Sequence, residues 1–207
     1  TSIPATIINS GLNCQSNNLT SNLTITGEGN TLTNCVLNGA STLTINGNST
    51  TVSGGSVAGA VSGSGNNIEF ESNATLSNSV SLTGNNITFT NTDINNNLTL
   101  NGDNPTLNGG SVGGNTEFNG DNSTNNNIKN VTFDGNVLVS GSGHQFKGGA
   151  NTFKKTVTIE DEDIVFDGNT FNITVNDTYA IESTADAFID DLEILNNTFK
   201  EVGAEIK

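Results

Sequence analysis

The chain has 207 residues with 21 acidic and 6 basic side chains, a formal net charge of −15, and neither Trp nor Met. All six basic residues are Lys, and so acidic a chain without Arg is a poor partner for nucleic acid or for an anionic membrane surface, which excludes nucleic-acid binding as a function. No apolar run approaches the roughly 18 residues needed to span a bilayer, so no membrane insertion is expected.

The first residue is Thr1, with no leader pattern after it, as expected of a processed or excised segment. Asn supplies 37 residues and Gly 24. Eleven Asn-x-Ser/Thr sequons occur, at Asn18, Asn22, Asn48, Asn86 and Asn130 among others, a number that chance explains in a chain rich in Asn and Thr. Acidity and composition point to an extracellular or cell-surface location.

Self-similarity organises the whole chain. Residues 23–40, LTITGEGNTLTNCVLNGA, match 43–60, LTINGNSTTVSGGSVAGA, at an offset of 20. Three apolar columns follow in chain order. The first is Ile7, Ile25, Ile45, Gly63, Leu82, Leu100, Phe118, Val139, Ile159 and Val175. Two residues after most of its members comes a glycine: Gly27, Gly47, Gly65, Gly84, Gly102, Gly120 or Gly141. The second column is Cys14, Leu32, Val52, Phe70, Phe89, Leu107, Phe146 and Phe166. The third is Leu19, Leu37, Val57, Leu76, Ile94, Val112, Phe133, Phe153 and Phe171.

Around each column residue the polarity alternates with period two, as in Leu23-Thr24-Ile25-Thr26, which predicts strands. Three short strands per 18–21 residues, with Gly and Asn at the corners, predict a three-sided solenoid of nine or ten coils, all-β and a single domain over 1–207. Asn48, Asn66, Asn85, Asp103 and Asp121 share one corner and are expected to stack as a side-chain ladder. After Val175 the register is lost, so repeats over 5–175 and 192–207 are separated by an insertion at 176–191. Ile181, Ala185, Phe188 and Leu192 fall there at helical spacing, which suggests a short amphipathic helix or else a long loop.

The phrase GNNITFTNTDI (84–94), echoed by GNTLTNCVL (29–37) and DIVFDGNTF (163–171), resembles the coils of right-handed parallel β-helix proteins of the pectin-lyase-like superfamily. FDGN at 133–136 and 166–169, with GGA at 148–150, is similar to repeats of bacterial polymorphic outer-membrane proteins. The resemblance implies the right hand of the helix and the surface-protein or adhesin type. For the enzymes of the superfamily it implies a basic groove with carboxylates or calcium, acting on acidic polysaccharides. Without Arg, and with no Lys before residue 129, an anionic-substrate enzyme is not expected.

Other chemistry is sparse. A glycosidase needs two carboxylates facing one cleft, and Glu69 with Glu71, or Asp103 with Asp121, are the pairs on offer. Asp161 and Asp163, in an acidic run at 160–163, are the candidates for calcium, although a solvated charge run explains them as well. His144, the one histidine, is expected at the surface. Cys14 and Cys35 face inward near one corner, either as a disulfide or as two buried thiols. No enzyme activity and no required cofactor are expected.

The outward positions of the first strand form a hydroxyl array that includes Thr6, Thr24, Thr26, Thr44, Thr83 and Thr99. Such an array is similar to the ice-binding face of solenoid antifreeze proteins, while Thr is also simply favoured on exposed strands. The two ends leave strand edges open to pairing. The expected function is therefore a structural rod that self-associates head to tail into a filament or forms part of an adhesin stalk, with a glycan or host surface as partner. An ice-binding protein is the first alternative, and a tailspike-like polysaccharide binder the second.

Overall fold

The computed structural model describes residues 6–15, 18–122, 128–173, 179–184, 189–200 and 205–206. They form a parallel β-solenoid in which every strand pairing is parallel and joins one coil to the next. Each coil lays down a strand on each of three faces. The first coil supplies Thr6–Ile8, Gly11–Asn13 and Asn18–Leu19, and the tenth Tyr179–Ser183, Glu193–Leu195 and Thr198–Lys200. One more strand, Glu205–Ile206, follows on the first face, which stacks eleven strands in all.

The second and third faces merge into one bent sheet of fifteen strands, because Thr88–Ile94 and Thr106–Val112 run unbroken around the corner between them. A separate three-stranded sheet, Gln145–Phe146, Val165–Asp167 and Glu193–Leu195, continues the second face toward the C-terminal end.

The register fulfils the apolar columns nearly throughout. Ile7, Ile25, Ile45 and Gly63 are successive partners on the first face, and Leu19, Leu37, Val57 and Leu76 on the third. Strand alternation turns these side chains inward, and the core residues between the ends are essentially inaccessible. Aromatic rings fill the wider coils by stacking along the axis: Phe133 on Phe153 at 5.2 Å, Phe153 on Phe171 at 4.9 Å, and Phe146 on Phe166 at 4.8 Å.

Two assignments change. Leu12, not Cys14, opens the second column, since it is Leu12 that pairs with Leu32; Cys14 lies two residues further on, at the corner. Tyr179–Ser183, placed by the sequence in an insertion, is a first-face strand with Ile181 opposite Val157 and Ser183 opposite Ile159. Val175, expected at that position, lies outside the described residues, as do Ala185 and Phe188. Among the described residues there is no helix: the apparent helical spacing joins an inward strand residue, Ile181, to Leu192, which packs against the core just before the next strand.

The corners explain the Asn content. Between the first and second faces Ser49, Asn67, Asn86, Asn104, Asp163 and Asp191 all have φ between 49° and 59°. Asn and Asp tolerate this left-handed conformation better than other side-chain-bearing residues. Beside them runs the expected ladder, in which each side-chain oxygen accepts the backbone N–H of the next coil. Asn48 accepts from Asn66 at 2.8 Å, Asn66 from Asn85 at 2.8 Å, Asn85 from Asp103 at 2.9 Å, Asp103 from Asp121 at 3.1 Å, and Asp121 from Ser142 at 3.1 Å.

Charge is graded along the axis. Residues 1–68 contain one charged side chain, Glu28, and every other acid and all the Lys residues follow.

Candidate functional site

The hydroxyl face is built by register alone. Thr6, Thr24, Thr44, Ser62, Ser81 and Thr99 are successive partners across six strands, all on the outward side of the first face. Strand pairing spaces such rungs about 4.8 Å apart. A shorter outward row begins Thr26 and Asn46 and resumes with Ser64, Thr83 and Asn101. Beyond Thr99 the first row changes character: Glu117 follows and accepts the Thr99 hydroxyl at 3.4 Å, then come Leu138, Thr158 and Glu182. Glu182 thus holds this row's rung in the tenth coil, opposite Thr158.

Four of the chain's acids gather elsewhere. Asp121, Ser142, Asp163, Asp191 and Glu193 line an open groove of about 650 Å³ where the first corner meets the second face. Asp161 and Asp163 belong to this region, and the Asp161 carboxylate accepts the N–H of Glu162 at 2.9 Å. Among the described residues no three His, Cys, Asp or Glu side chains converge as a metal would require.

Behind the groove His144 is fully buried, contrary to the surface position expected of it. It occupies the inward position at the start of the second face that Ile164 holds in the following coil, so strand alternation turns it into the core. Its Nε2 lies 2.7 Å from the Gly120 carbonyl oxygen and its ring packs against Phe118 at 5.3 Å, while Nδ1 is buried without a partner. Burial lowers its pKa below 6.5, against smaller raising contributions from the Gly120 hydrogen bond and from Asp121 and Asp161.

Cys14 and Cys35 form a disulfide between the first and second coils at the corner of the second and third faces, with 4.8 Å between their Cα atoms. Glu69 and Glu71 flank the buried Phe70 on one strand, and each is half-buried. Asp103 and Asp121 are neighbours in the corner ladder, where the Asp103 side chain is engaged by the Asp121 backbone.

One set of residues escaped sequence reasoning. At the corner between the second and third faces, Asn151, Asn169 and Asn197 point inward and form a second ladder. Asn151 accepts the N–H of Val131 at 3.0 Å, Asn169 that of Asn151 at 3.2 Å, and Asn197 that of Asn169 at 2.8 Å. Their amides donate to the carbonyls of Ile128, Phe146 and Phe166 at 2.7–2.8 Å. The available signal was the triplet Asn-Thr-Phe, which recurs at 151–153, 169–171 and 197–199.

This ladder leads to the C-terminal end, where burial becomes incomplete. Among the described residues the large hydrophobics that stand exposed are Ile8, Leu195 and Phe199, at 61, 47 and 38%, and all three lie in the first or the tenth coil. Ile8 and Leu195 project outward, whereas Phe199 is an inward column residue, stacked at 4.8 Å on Phe171.

The fold and these features define the class as a parallel β-solenoid. No family model, curated protein or solved structure matches the chain.

Proposed function

We propose that the chain is a non-catalytic structural protein of an extracellular surface. It is a β-helical rod of the right-handed, pectin-lyase-like kind found in bacterial surface proteins and adhesins, and it pairs end to end into a filament or stalk. The observation that carries this reading is the state of the two end coils. Among the described residues, Gly11–Asn13 and Asn18–Leu19 pair only with the second coil, and Glu193–Leu195 and Thr198–Lys200 only with the ninth. Open edges of this kind are templates for further strand pairing, and the exposed large hydrophobics lie in those same coils. Electron microscopy of purified protein over a concentration series, with light scattering alongside, tests the reading. Uniform fibres one solenoid wide are expected, and particles that stay monomeric at high concentration overturn it.

A second reading has its own support in the six consecutive hydroxyl rungs from Thr6 to Thr99. A flat, regularly spaced array of this kind is suited to an ordered surface such as ice. Thermal hysteresis in the wild-type protein, abolished by Thr44→Tyr, is the outcome this reading requires. Its absence from the wild type removes the reading.

A further inference from the structure

We infer that Asn38 is a site of spontaneous modification. The Gly39 backbone nitrogen closes on the Asn38 side chain and ammonia leaves, so that a carboxylate comes to stand where the sequence has a neutral amide.

The chemistry needs an asparagine followed by a residue that leaves its own nitrogen unscreened, and glycine, which has no Cβ, does so best. Five Asn-Gly pairs occur, at 38–39, 46–47, 101–102, 108–109 and 119–120. They are alike in sequence and unlike in the fold.

Four of them are held by the stack. Asn46, Asn101 and Asn108 lie in strands, and the Asn119 amide donates to the Asn101 side-chain oxygen at 2.8 Å. Their glycines press on the preceding coil. A Cβ on Gly47, Gly102 or Gly120 would fall on the backbone of Gly27, Gly84 or Gly102, and one on Gly109 would fall on the Asn91 side chain. Ring closure rotates the peptide between Asn and Gly. In these four pairs that rotation breaks strand pairing or meets a neighbouring coil.

The fifth pair stands clear. Asn38 follows the strand Val36–Leu37 and opens the turn that carries the chain from the third face of the second coil to the first face of the third. The Ser41 N–H closes this turn on the Asn38 carbonyl at 3.2 Å. Asn38, Gly39 and Ala40 are all exposed. Nothing lies within 4 Å of the place a Gly39 Cβ would take, and the Gly39 φ is +66°. Among the described residues none accepts the Gly39 N–H and none bonds the Asn38 side chain. The attacking nitrogen and the leaving amide are both free and adjacent, the situation in which an intramolecular step gains most.

The step balances with water alone. The Gly39 nitrogen gives its proton to solvent base and forms a bond to Asn38 Cγ. The Cγ–Nδ2 bond breaks, and the departing nitrogen takes a proton from water and leaves as ammonia. Water then opens the five-membered imide, at Cγ to give an aspartyl residue or at the main-chain carbonyl to give an isoaspartyl one. Either product puts a carboxylate into residues 1–68, where Glu28 is the one charged side chain.

The test incubates the 207-residue chain at neutral pH and follows all five pairs by peptide mapping with mass spectrometry, both folded and in urea. In the folded chain Asn38 is expected to convert at least about tenfold faster than any of the other four, which must first open locally, roughly 1.4 kcal/mol of opening being a factor of ten. In urea the five rates are expected to draw together. Gly39→Ala, whose Cβ meets nothing in the fold, screens the nitrogen and is expected to slow Asn38 in both states. Four results overturn the assignment: another pair converting as fast as Asn38 in the folded chain, a lead of Asn38 that persists undiminished in urea, an Asn38 that does not convert, or a Gly39→Ala chain in which Asn38 converts at the wild-type rate.

Discussion

Asn169 and Asn151 are joined twice: the Asn169 side-chain oxygen accepts the backbone N–H of Asn151 at 3.2 Å and its side-chain amide at 2.9 Å. Both residues are buried, at 1 and 0% exposure, so neither bond has water in competition. Such networks stabilise when every member is satisfied and are costly when one is removed. Asn169→Ala deletes the acceptor of Asn151 and the donor to Phe146. It is expected to lower unfolding stability by about 3 kcal/mol, the cost of stranding a few buried polar groups. Urea denaturation checks this, with a lower midpoint at unchanged slope as the expected result.

The glycines after the first column are required by contact rather than by conformation alone. A Cβ on Gly102 would fall onto the carbonyl oxygen of Gly84, and one on Gly47 onto that of Gly27. Gly102→Ala is expected to cost about 3 kcal/mol or more, because the Gly84 backbone of the preceding coil must move. Gly29, at φ 67° with open space around its Cβ, provides the contrast. Gly29→Ala is expected to cost only about 1–2 kcal/mol, the strain of the left-handed conformation. Thermal melts of the pair separate the two causes.

Removing the Cys14–Cys35 bridge releases a loop of sequence separation 21 in the unfolded chain. The entropic model gives about 3 kcal/mol for a loop of this length. Cys14→Ser with Cys35→Ser is expected to lose roughly that much. Wild type with reductant is expected to reproduce the loss, measured by denaturation with and without dithiothreitol.

His144 makes stability depend on pH. Its folded pKa is lowered below 6.5 by burial, so the unfolded chain takes up the proton first. The contribution of the neutral ring is therefore present above about pH 6.5 and is lost as pH falls from there through the folded value. The informative quantity is the difference from a variant that lacks the imidazole. Wild type is expected to lose stability relative to His144→Ile between pH 7 and pH 5. Equal pH profiles for the two proteins would falsify the assignment.

Much of this fold is legible in the sequence because a solenoid repeats its rules. Ile25 and Ile45, or Leu37 and Val57, announce a stacked register with no long-range information needed, and the corner ladder from Asn48 to Asp121 follows from their common offset after the first column. Three things were hidden. His144 is polar, yet its position in the coil, not its polarity, decides that it is buried. Tyr179–Ser183 kept the register while the loops around it changed length, so a search at fixed spacing missed it. The inward Asn151 and Asn169 were missed because polarity alone places Asn at the surface, and only the register shows that these two face the core. The hydroxyl face was legible residue by residue, apart from the Glu182 rung.

The Cys14–Cys35 bridge has a mechanical consequence. Strands lie across the axis, so tension applied along it peels coils away in succession rather than shearing many bonds at once. The bridge fastens the first coil to the second and resists peeling there. The tenth coil is held to the ninth by hydrogen bonds and ring stacking. The chain between Cys14 and Cys35 cannot lengthen while the bridge is intact, so roughly 70 Å of extension is withheld from any pull across it until the bridge is reduced.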